Sequence, residues 1–130
     1  VILLDTHVAI WVTTDKRKLS KAAAAAIREA SRDGGGVAIA GSSLWEVAMI
    51  AAKGGFLLPG TVAEYLRHLE TVFVVLLINA VIAERSNLFS SRYPKNPTDR
   101  LIGATAIAHG LELVTKDSEI RSSGEVRCIW

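Results

Sequence analysis

Four carboxylates, Asp5, Glu46, Asp99 and Asp117, stand where the chain leaves an expected strand or opens an expected helix. In an α/β protein that is the edge along which ligands bind. Asp5 ends the apolar run VILLD and Asp117 follows LELVTK, while Glu46 and Asp99 lie near the starts of two otherwise mostly apolar helical stretches. Four ionised carboxylates within a few ångströms repel one another, so either their pKa values rise or cations neutralise them. A divalent metal site is the economical expectation, and hard carboxylate oxygens select Mg²⁺ or Mn²⁺.

Each acid also has a capping explanation. Ser43-Leu44-Trp45-Glu46 has the spacing of a capping box, in which hydroxyl and carboxylate satisfy free backbone N–H groups. Asp99 follows Asn96-Pro97, with proline at the first helical position and a negative charge suited to the helix dipole. Asp5 or Thr6 suits the cap of a first helix, and Asp117 the cap of a short turn at 118–120. Singly, each acid leaves the choice open. Jointly, right-handed crossovers bring all four to one rim of a parallel sheet, a coincidence that independent caps do not require.

The remaining polar candidates are less specific. Thr6 and Thr115 flank strand-tip acids and could place hydroxyls beside a metal-bound water or a phosphate. Arg100, next to Asp99, is suited to phosphate or to an ion pair. His7 is expected on a helical surface, and His68 and His109 have no ligand spacing. Trp11, Trp45 and Phe56 are expected in the core or at an interface rather than against nucleobases. No GxGxxG, P-loop, nucleophile elbow, HExxH or CxxC occurs, which removes most other enzyme classes.

The elements that must position these residues alternate short β-branched runs with longer helical ones, the pattern of parallel βα units. Strands are predicted at 1–5, 37–40, 73–77, 112–115 and 126–129, and helices at about 7–13, 20–32, 43–53, 61–70, 79–90 and 98–109. Gly34 to Gly36, Gly54 to Gly55 and Gly110 are the expected stops. With 130 residues and no Pro/Gly/Ser-rich linker, one domain over 1–130 is expected. Half the residues are hydrophobic and 22% charged, which excludes disorder and implies apolar surface for a partner. Net charge is only +2, too weak to argue for nucleic acid by itself, although Lys16, Arg17, Lys18 and Lys21 form one basic cluster and Arg92, Lys95 and Arg100 another. The lone Cys128 has no partner for a disulfide and is expected as an inert thiol. The longest apolar run, 73–78, is too short for a membrane span, and the first residues lack the basic region of a signal peptide, so cytoplasm is the expected compartment.

LLDTH at 3–7, SLWEVAMIAAKG at 43–54 and NPTDRLIGATAIAHGLELVTKDSEIR at 96–121, followed by the terminal IW, resemble a PIN-domain protein, specifically a VapC-type toxin ribonuclease. The likeness spans nearly the whole chain in order, and DRLIGATA followed by LVTKD is its most specific part. It implies a three-layer α/β/α sandwich with a mainly parallel sheet of about five strands. It also implies an acidic quartet at Asp5, Glu46, Asp99 and Asp117 with Thr6 and Thr115 as supporting hydroxyls, dependence on Mg²⁺ or Mn²⁺, and cleavage of RNA to 5′-phosphate and 3′-hydroxyl ends. A homodimer and a VapB-type antitoxin would be the partners. One departure is that many relatives carry His and Asp where this chain has Pro94 and Asn96.

On this reading Asp5, Asp117 and Asp99 hold the principal ion, and Glu46 orients an attacking water or helps hold a second ion bound with RNA. Arg100, Lys95 and Arg92 would steer the backbone. A noncatalytic interaction module is the alternative. A receiver-like phosphoacceptor ranks lower, because it needs adjacent acids after the first strand where this chain has Asp5-Thr6-His7. The surface around Trp11, Trp45 and 56–58 is the expected contact with another chain.

Overall fold

A computed structural model describes all 130 residues, Val1–Trp130. Five short strands, β1 (Ile2–Leu4), β2 (Val37–Ala40), β3 (Val74–Leu76), β4 (Glu112–Val114) and β5 (Cys128–Ile129), form one all-parallel sheet in the order β3-β2-β1-β4-β5. Seven helices surround it: α1 (Thr6–Thr14), α2 (Lys21–Arg32), α3 (Gly41–Ala52), α4 (Val62–Val72), α5 (Ala80–Arg85), α6 (Pro97–His109) and α7 (Ser118–Ser123). A 3₁₀ turn at Lys16–Lys18 joins α1 to α2.

Strand side chains alternate between two apolar layers, as a period of two requires. Ile2, Leu4, Val37, Ile39 and Val114 pack with Val8, Ala23, Val47, Leu69 and Phe73 on one side. Leu3, Ala38, Ala40 and Leu113 pack with Tyr93, Ile102, Ala106 and Ile120 on the other. Burial on both faces explains why β1 and β2 read as unbroken apolar runs. The three-layer arrangement is the one expected.

The chain lays down β1, β2 and β3 toward one edge, then returns across the sheet to place β4 on the other side of β1. The order therefore reverses between β1 and β4. Crevices open at the carboxyl ends of strands at such a switch point. Asp5 and Asp117 follow these two strands directly or within a few residues.

Two local expectations are corrected. The helix expected over 79–90 ends at Arg85, because the side chains of Ser86 and Asn87 both turn back to donate to the Ala83 carbonyl. The Ser43–Glu46 capping box does not form. The third helix begins at Gly41, straight off β2, and the buried Ser43 hydroxyl is bonded to that of Thr6 instead, at 2.9 Å. A true capping box occurs at Thr61 and Glu64, opening α4.

Candidate active site

Two of the four acids are held by helix ends. Asp5 is the N-cap of α1, its Oδ1 accepting the Thr6 N–H at 2.9 Å, and Asp117 caps α7, its Oδ1 accepting from Glu119 N and Ile120 N. Thr115 ties them together, its buried hydroxyl donating to Asp5 Oδ2 at 2.6 Å and accepting the Asp117 N–H at 3.0 Å. The capping explanation is thus correct for both, yet each keeps oxygen lone pairs for the rim.

The other two come from helix sides. Asp99 is the third residue of α6, after Pro97 at its first position and the Asn96 cap. The Asp99 main-chain carbonyl accepts from the buried Tyr93 hydroxyl at 2.8 Å, which fixes the backbone without engaging the carboxylate. Gly103, one turn further on, leaves room for the Tyr93 ring, which stacks on Phe89 with centroids 3.9 Å apart. Glu46 reaches across from α3, and its Oε2 lies 3.2 Å from the Thr98 hydroxyl, which also lies 2.8 Å from Asn96 Oδ1. That hydroxyl has one proton to give, so Asn96 and Glu46 compete for it.

Asp5, Glu46, Asp99 and Asp117 all line one open pocket of about 510 Å³, with His7, Val8, Trp11, Asn96 and Lys116. Their mutual field bears on Asp99 and Asp5. Burial and then the charges of Asp5, Asp117 and Glu46 push the Asp99 carboxyl up to about 7. Burial also raises Asp5, against the lowering effect of its bonds from Thr115 and Thr6. None of the four has an ion-pair partner, the one salt bridge in the molecule being Arg17–Asp15.

Unpaired, hard and crowded oxygens are the donor set a divalent cation suits. Their spacing as they stand is open, since no three His, Cys, Asp or Glu side chains close up tightly enough to hold an ion. Helix ends anchor Asp5 and Asp117. The donor chemistry therefore fits an ion, and Asp99, whose carboxylate makes no hydrogen bond, is the side chain with most freedom to turn toward it.

Among the supporting residues expected from sequence, Thr115 alone bonds one of the acids through its hydroxyl. Thr6 gives its N–H to Asp5 but its hydroxyl to Ser43, away from the pocket. The Arg100 guanidinium donates to the Pro94 carbonyl and does not line the pocket. Lys116 is the one Lys or Arg that does. Trp11, Thr98, Asn96 and Tyr93 were missed as contributors. Trp11 had a legible signal, standing four residues from His7 and so on the same face of α1. Cys128 is partly buried, its thiol pushed up to about 11 mainly by burial, as an inert thiol should be.

The sequence profile of the PIN domain matches residues 2–125. Ribonuclease VapC22 of Mycobacterium tuberculosis is 38% identical over 131 residues, covering 99% of this chain and 98% of that protein. Among solved structures, a toxin-antitoxin complex from Klebsiella pneumoniae aligns with a TM-score of 0.59 at 26% identity, over 91% of this chain and 88% of that one. DNA-bound VapBC from Salmonella typhimurium aligns with a TM-score of 0.73 at 22% identity, over 98% and 95%. The last supports the fold alone.

Proposed function

The chain belongs to the PIN-domain family and, within it, to the VapC-type ribonucleases, and from that premise we propose that it is a metal-dependent endoribonuclease acting as the toxin of a toxin–antitoxin pair. The observation that carries this reading is the convergence of Asp5, Glu46, Asp99 and Asp117 on one open pocket at the switch point of the sheet. A structural set of caps would account for Asp5 and Asp117 but not for Glu46 and Asp99, whose carboxylates cap nothing.

Asp5, Asp99 and Asp117 would hold the principal Mg²⁺ or Mn²⁺, with Glu46 beside them. When bound, the ion supplies charge neutralisation at the phosphate and a lower pKa for water. The protein's own groups do the rest. Thr115 fixes the relative position of Asp5 and Asp117, and Tyr93 fixes the backbone that carries Asp99. Thr98 holds Glu46 on the pocket side, where its free oxygen orients the attacking water and takes up its proton. Attack at phosphorus breaks the bond to the 3′ oxygen, leaving 5′-phosphate and 3′-hydroxyl ends. Lys116 supplies the cation that draws the backbone in, a role the sequence reading gave to Arg100, Lys95 and Arg92.

A VapB-type antitoxin and a second copy of the chain are the proposed protein partners, acting in the cytoplasm. No helix is long and apolar enough to cross a membrane. Trp45 and Leu57, 59% and 93% exposed, remain available for such contacts, whereas Trp11, Phe56 and Leu58 pack partly against the core. Incubating the protein with single-stranded RNA tests the reading. Cleavage with Mg²⁺ or Mn²⁺, abolished by chelator and by Asp99→Asn, is expected, and cleavage indifferent to both would overturn it.

A further inference from the structure

One wall of the acidic pocket is neither acidic nor part of the proposed ion site. Trp11 lines it from α1, with the Lys116 Nζ, from the exit of β4, lying over the indole ring 5.9 Å from its centroid, so that a base stacking on that face would displace the ammonium toward the adjoining phosphate. The exposed His7 lies one turn before Trp11, its ring tilted at 51° and 6.1 Å away. Trp130 lies beside the indole, with centroids 6.0 Å apart and planes tilted by 54°, and the apolar core packs against it as well. The indole is therefore fixed in place while one side of it borders the pocket.

We propose that Trp11 and Lys116, with His7 at their edge, form a nucleotide subsite for single-stranded RNA, the indole taking a base and the ammonium the adjoining phosphate. The inference rests on the ribonuclease reading and names where its substrate is gripped. An acidic pocket repels a polyanion, so a strand needs a sequence-tolerant attraction beside the acids, and an aromatic face next to a cation supplies it. Asp5 caps the helix that carries Trp11, six residues or about 9 Å of helix away. That separation sets a stacked base within one or two nucleotides of the bond at the acids. A Lys–Trp pair serving stability alone has no reason to face an open pocket, where water competes for the ammonium.

Binding is read without turnover in an Asp99→Asn background, by fluorescence anisotropy of a labelled mixed-sequence RNA oligonucleotide, and cleavage is read in the otherwise native protein. Trp11→Leu is expected to weaken binding about ten-fold or more and to raise KM more than it lowers kcat, with Trp11→Phe restoring most of the affinity. Lys116→Ala is expected to weaken binding and to reduce the salt dependence by about one phosphate contact. Because Trp11 also packs on the core, the deciding comparison is with an oligonucleotide of abasic sites. Its affinity should already be low and should fall no further on Trp11→Leu. Equal losses on both RNAs, or no loss on either, overturn the subsite. If Trp11→Leu spares RNA but loosens a copurified antitoxin, the wall serves the protein partner and the proposal falls. Trp11-dependent binding without any metal-dependent cleavage by the native chain would instead overturn the ribonuclease reading and leave the subsite standing.

Discussion

Burial and the charges of Asp5, Asp117, Glu46 and Glu119 hold the Asp99 carboxyl at about 7, far above the 3.8 of a free aspartate. Across that window the folded protein keeps a proton that the unfolded chain has released, so stability falls as pH rises from about 4 to 7. Asp99→Asn removes the titrating group. In chelator its thermal midpoint should exceed that of the native protein near neutral pH and decline less with rising pH, and parallel declines would mean that Asp99 is not crowded by its neighbours. Thr115 offers a second test at the same scale. Replacing it with valine keeps the volume but removes a donor to Asp5 and an acceptor for the Asp117 N–H. A buried hydrogen bond to a charged group is worth about 1.5–3 kcal/mol. Thr115→Val should lose roughly that much stability in urea titration and most of the cleavage activity, with Thr115→Ser restoring both.

The start of α6 shows how an element positions a residue. A Cβ on Gly103 would run into the hydroxyl end of the buried Tyr93 and the edge of Phe89, which stacks on it. Gly103→Ala gains about 1 kcal/mol of helix propensity, but overpacking a rigid site costs about 1–3 kcal/mol. Net destabilisation is expected in a urea titration, together with lower activity, because the Tyr93 hydroxyl that must shift is the one holding the Asp99 backbone. An alanine variant with raised stability and unaltered cleavage would show that the tyrosine is not a brace. The same element marks the limit of what the sequence discloses. Asn96-Pro97 announced its start and Gly110, at φ 65°, its end, since asparagine caps, proline presets φ and glycine admits the left-handed turn, all through local effects. The capping box expected at Ser43 did not form, because the helix already starts at Gly41 and the Ser43 hydroxyl is bonded to Thr6, a residue 37 positions away that no local spacing reveals. Lys116 and Trp11 were invisible as neighbours for the same reason. Their contact depends on how α1 lies over the exit of β4.

At the scale of the molecule, a net charge of +2 hides a division of charge. Four acids face one Lys in the pocket, while Lys16, Lys18 and Lys21 lie outside its lining. The strand order that produces this pocket was not readable from the chain, but the rim was, because parallel strands all exit on the same side. The antitoxin proposed above must overcome this field or exploit it. A segment carrying Arg or Lys can enter the rim and neutralise Asp5, Glu46, Asp99 and Asp117 in place of metal, since a guanidinium forks onto carboxylates through paired hydrogen bonds. Metal and antitoxin then compete for the same oxygens. Rising Mg²⁺ or Mn²⁺ should weaken inhibition of the purified complex more than a monovalent salt of equal ionic strength does, because general screening acts in both titrations while ligand competition acts in one. Identical responses to the two salts would mean that the antitoxin covers the approach of RNA without touching the acids.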